Sequence, residues 1–95
     1  MKKYPELTFG DHTYVLRPGQ MTARQRMKVR HTTGMALPDA MQHLTVDPDI
    51  DIVAVLYYAA AVQAGEDPNW DTIVDSVTQE HPITVGLVEG DDPET

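Results

Sequence analysis

From Ile52 to Val62 the chain runs for eleven residues, Ile-Val-Ala-Val-Leu-Tyr-Tyr-Ala-Ala-Ala-Val, without a charged or amide side chain. That is about half of the ~20 residues a helix needs to cross a bilayer, so the run predicts no membrane span. Asp47-Pro48-Asp49 precedes it and Gly65 follows it. Asp suits an N-cap, Pro suits the first helical position, and Asp49 and Asp51 sit where the helix dipole favours anions. The pattern predicts a helix over about 47–64. A helix that is apolar on every side must be covered on every side. The chain has 95 residues, enough for one small core. So small a domain is expected to leave part of this helix bare, for another copy or a client.

The other elements are shorter. Leu7-Thr8-Phe9 and Tyr14-Val15-Leu16 are β-prone, and Gly10-Asp11 between them can form a tight turn. They predict a hairpin over 6–17. A lone hairpin is unstable in water, so one face must pack on helices or on a partner. Thr22 and Gln25 stand at capping-box spacing, which predicts a helix to about Thr33 with Gly34 as its C-cap. Its expected core face is thin: Ala23, Met27 and Val29. Leu37, Ala40, Met41 and Leu44 fall at i, i+3, i+4 and i+7 and predict a helix near 38–45. Trp70, Ile73, Val74 and Val77 repeat that spacing and predict a last helix over 67–78. The fold class expected is α+β, mainly α: an N-terminal hairpin followed by about four helices. Residues 1–80 are expected to form one domain and 81–95 an acidic, flexible tail. Within 81–95, Ile83-Thr84-Val85 and Leu87-Val88 have strand-like composition.

Charge is divided sharply along the chain. All seven Lys and Arg residues lie in the first 30 positions: Lys2, Lys3, Arg17, Arg24, Arg26, Lys28 and Arg30. With Glu6 and Asp11 they give that third a charge of +5, and the other 13 acids give the remainder −13, which together make the chain's −8. The basic part is complementary to the acidic part of another copy, or to a different acidic partner. Arg24, Arg26, Lys28 and Arg30 are the candidate partner-binding face. The alternative is an ordinary solvated helix face. Nucleic acid is not expected as a partner, because the acidic bulk repels phosphate and no aromatics interleave with the cations.

Catalytic and metal chemistry find no pattern. There is no cysteine, which excludes disulfides and thiolate metal sites. His12, His31, His43 and His81 are not spaced as paired ligands. Asp47-x-Asp49-x-Asp51 starts like a calcium loop, but Ile52 and Tyr58 stand where Gly and Glu are required. Ser76 is the only serine and has no motif around it. The expectation is a protein that is not an enzyme and uses no cofactor or metal. Met-Lys-Lys-Tyr-Pro lacks the apolar segment of a signal peptide.

The element order carries a family resemblance. A hairpin closes as Tyr14-Val15-Leu16-Arg17-Pro18, then come a polar helix and an Asp-rich entry into an Ala-rich helix. That helix ends Ala61-Val62-Gln63-Ala64-Gly65-Glu66-Asp67-Pro68-Asn69-Trp70-Asp71. Over about 6–78 the chain resembles the small tail assembly chaperones of long-tailed bacteriophages in size, order and texture, with no signature motif. The resemblance implies a protein that binds the tape-measure protein, helps to recruit tail-tube subunits, works in the host cytoplasm and is absent from the finished virion. It implies no catalytic residues. The alternatives are a head–tail connector or minor tail component, and an acidic protein that binds a basic host factor. For self-association or client binding the expected residues are Val55, Leu56, Tyr57, Tyr58, Ala59, Val62 and Trp70. Met27 and Met41 are further candidates for a groove that takes a client helix.

Overall fold

The computed structural model describes residues 2–46 and 49–90, apart from the side chains of Lys2 and Thr45. Asp47, Pro48 and the segment 91–95 lie outside the described residues, and with them the expected cap at Asp47 and the end of the expected tail. The chain folds as α+β. Strands β1 (Lys2–Phe9) and β2 (His12–Val15) lead into helices α1 (Ala23–Thr33), α2 (Leu37–Val46), α3 (Ile50–Gln63) and α4 (Trp70–Ser76), and strand β3 (Thr84–Gly90) closes the order.

The hairpin forms where the turn chemistry puts it. Gly10 takes φ 62, the positive value that a two-residue hairpin turn needs, and Phe9 pairs with His12 across it. Thr8 and Thr13 share a hydroxyl hydrogen bond of 3.0 Å on one face. Strand β1 is longer than the sequence suggests because its other edge is also used. β3 pairs antiparallel along it from Lys2↔Gly90 to Thr8↔Thr84, giving the order β2-β1-β3. The expected boundary at residue 80 is therefore corrected: residues 84–90 belong to the sheet. β-branched Thr84, Val85 and Val88 suit the pleat, and the exposed edge of β1 offers a ladder.

The helix ends follow local rules. The Thr22 hydroxyl accepts from the Gln25 N–H at 3.2 Å, while Gln25 Oε1 accepts from the Thr22 N–H at 3.0 Å. Gly34 closes α1 at φ 75. α3 is capped by Asp49, whose carboxylate accepts from the Ile50 N–H at 2.8 Å. Asn69 caps α4 by accepting from the Thr72 N–H at 3.0 Å, so α4 starts later than the expected residue 67.

α3 is the axis of the core. It packs against α1, α2, α4 and both strands of the hairpin. Ile52 to Tyr57 and Ala59 to Ala61 are buried. Alanine at 54, 59, 60 and 61 lets neighbouring elements approach closely, which is how a chain of 95 residues surrounds an all-round apolar helix. The centre of the helix is covered more fully than expected, while Ile50 and Val62 near its two ends stay exposed. Val55 and Leu56 of α3, with Leu7, Leu16, Val29 and Leu44 around it, are the largest fully buried side chains.

Candidate interaction surface

The four cations expected to act together on α1 are separated by the fold. Lys28 points inward. Its Nζ lies 4.4 Å from the ring centroid of Trp70 and 5.0 Å from that of Tyr58. The two rings meet edge to face at 5.4 Å. This cation–π contact joins α1 to α3 and α4, and it sets the half-buried Lys28 apart from the outward cations of α1. Arg26 is exposed, and its Nη2 donates to the Pro18 carbonyl at 3.2 Å.

Arg24, Arg30 and His31 remain outward, and Met27 stands between them. Met27 is 70 % exposed. Arg24 precedes it by three residues, and Arg30 and His31 follow by three and four, so all three border it on one helix face. No hydrogen bond or ion pair ties the side chain of Arg24 or Arg30 to another described residue. Arg30 and His31 also lie in the last turn, where the dipole favours cations. Two expected core residues of α1 are thus corrected: Ala23 and Met27 face water, and only Val29 is buried. Val29 packs toward α3 beside Lys28, so the side of α1 that carries these two residues is the one that packs.

The apolar residues expected to meet a partner are mostly enclosed. Val55, Leu56, Tyr57 and Ala59 are buried within this chain's own core, so the surface expected on α3 is closed at those four positions. The physical reason is that α1, α2, α4 and both hairpin strands converge on the middle of α3. Tyr58 and Trp70 are half-buried under Lys28. Met41 is half-buried against the core. Val62, at 37 % exposed, is the one outward residue of that group.

Tyr57 sits among aromatics, 5.4 Å from Tyr14 and 6.0 Å from Phe9 between ring centroids, both edge to face. Burial raises the pKa of its hydroxyl above the ordinary value of 10.0, and the neighbouring Tyr14 adds to the rise. His12 stacks on Tyr14 at 6.2 Å. Among the described residues no group of three or more His, Asp or Glu could hold a metal ion, and no helix is long and apolar enough to cross a membrane.

Sequence reasoning passed over one further feature. A groove of about 400 Å³ lies between the start of α3, the end of α4 and the start of β3. Ile50, Val53, Val77, Ile83 and Val85 line it, with Asp49 at the rim. A signal was present: Ile83 and Val85 alternate with Thr84 in the way a half-buried strand does. Comparison of the chain with protein-family models, curated proteins and solved structures finds no match.

Proposed function

We propose that this protein is a tail assembly chaperone: it self-associates and holds the tape-measure protein of a long-tailed bacteriophage during assembly in the host cytoplasm, then leaves before the particle is complete. The observation that carries the reading is the outward face of α1. Met27 is 70 % exposed and bordered by the unpaired side chains of Arg24 and Arg30, so it adds little to the chain's own core. Such a face suits a helical client that presents apolar side chains between acids, since methionine adapts to irregular apolar partners and the cations steer the encounter. The −13 remainder keeps a loaded assembly dispersed. The size and element order of the resembled chaperones support the same reading, and recruitment of tail-tube subunits belongs to it.

Co-expression with the long helical protein encoded nearby is the test. The expected result is a soluble complex recovered by pull-down, with this chain missing from purified particles. If the long protein stays insoluble and unbound while this chain is stoichiometric in mature particles, the chaperone reading fails and a connector or minor tail component takes its place.

A further inference from the structure

We propose that β3 is a homodimer strand: two copies join edge to edge through β3 into one six-stranded antiparallel sheet. This deepens the self-association half of the reading above and does not depend on the client. In the order β2-β1-β3, β3 is an edge strand, and no described residue pairs with its outer side. None of its seven residues is buried. Natural edge strands are blunted by short length, lysine, proline or a covering element. β2, the opposite edge, has only four residues. β3 has seven, with no lysine and no proline, and Glu89 as its one charge.

Two apolar features at this edge have no use within one copy. Leu87 is 56 % exposed. It pairs with Pro5 as Val85 pairs with Leu7, so it lies on the helix-covered face of the sheet but beyond the helices. The second feature is the groove lined by Ile50, Val53, Val77, Ile83 and Val85.

One register satisfies both. When Gly86 lies opposite Gly86 on the two-fold axis, Leu87 of each copy lies opposite Val85 of the other, and Thr84 lies opposite Val88. Directly opposed residues share a face, so each Leu87 reaches the mouth of the other copy's groove. The helices of both copies then cover the same side of the joint sheet. Glu89 falls opposite residue 83, away from its own counterpart. A slip of one residue would turn each Leu87 to the uncovered face of the other copy, so the pleat rules it out. The contact is isologous and closes at two copies.

The chain has no cysteine, which makes the axis directly testable. A Cβ added at Gly86 meets no atom within 4 Å, and its φ lies outside the positive range. Opposed residues on antiparallel strands have Cα atoms about 4.5–5.5 Å apart, within disulfide range. Purified Gly86→Cys, with no client present, is expected to form a disulfide-linked dimer under mild oxidation much faster than Gly19→Cys, an exposed position in the 3-10 turn Pro18–Gln20 that measures random collision. Adding Leu87→Lys to Gly86→Cys is expected to slow crosslinking by about tenfold, because a charge is forced into an apolar contact. Crosslinking no faster than in Gly19→Cys overturns the proposal. So does equal crosslinking through Thr13→Cys on β2, or protection of β3 amides that arises only on adding a client. The crosslinking results do not bear on whether the tape-measure protein is bound.

Discussion

The side chain of Gln63 takes both backbone groups of Arg17. Its Oε1 accepts from the Arg17 N–H at 2.9 Å, and its Nε2 donates to the Arg17 carbonyl at 2.8 Å. A side-chain amide thus completes the ladder just where β2 ends, and it fastens the last turn of α3 to the hairpin across 46 residues of sequence. Pro18 cannot offer an N–H to extend the strand, so the amide supplies what the backbone cannot. Gln63→Ala is expected to leave two part-buried backbone groups unmet and to cost about 1–3 kcal/mol. Urea unfolding followed by circular dichroism measures this. A variant as stable as the parent would mean that water replaces the amide without loss.

Lys28 and the other α1 cations should separate cleanly by experiment. Lys28→Ala removes the contact with Tyr58 and Trp70 and is expected to destabilise the fold by about 1 kcal/mol, with Lys28→Arg recovering most of it. Thermal melting of the three proteins is the measurement. Equal stability in all of them would show that the ammonium group adds nothing to the aromatic pair.

Arg24→Glu with Arg30→Glu is expected to behave in the opposite way. Both residues are exposed and unpaired, so stability should stay within about 0.5 kcal/mol of the parent. Binding to an acidic client should fall, and binding by the parent should weaken with salt, because exposed charges are screened over ~10 Å at 0.1 M. Met27→Ser should also weaken binding but leave its salt dependence in place. Titration by fluorescence anisotropy at two salt concentrations distinguishes these. Unchanged affinity in both variants removes α1 from the client surface.

The buried hydroxyl of Tyr57 makes a prediction about pH. Its pKa is raised in the folded chain, so the folded state holds this proton more tightly than the unfolded state does. Its contribution to stability is complete below the ordinary value of 10.0 and is lost as pH rises through the higher folded value. Tyr57→Phe has no proton to lose there. The parent should therefore lose stability more steeply than Tyr57→Phe above about pH 10. Parallel slopes in urea titrations at stepped alkaline pH would show that the ring's environment does not distinguish the two protonation states.

What the sequence determined by itself is local. Thr22, Gln25 and Gly34 set the ends of α1, and Gly10 set the hairpin turn. These signals act over at most four residues, where backbone geometry and one side chain decide the outcome. The helical state of Ile52–Val62 was equally legible, as was the division of charge. Tertiary structure decided the rest. Whether α3 stays bare depends on how many elements converge on it, and no window of sequence holds that number. Only the packing of Lys28 onto Trp70, an element some 40 residues away, turns Met27 rather than Lys28 toward water. Residues 84–90 became a strand because β1 had a free edge at the other end of the chain. A strand's state depends on a partner remote in sequence, whereas a helix carries its hydrogen bonds within itself.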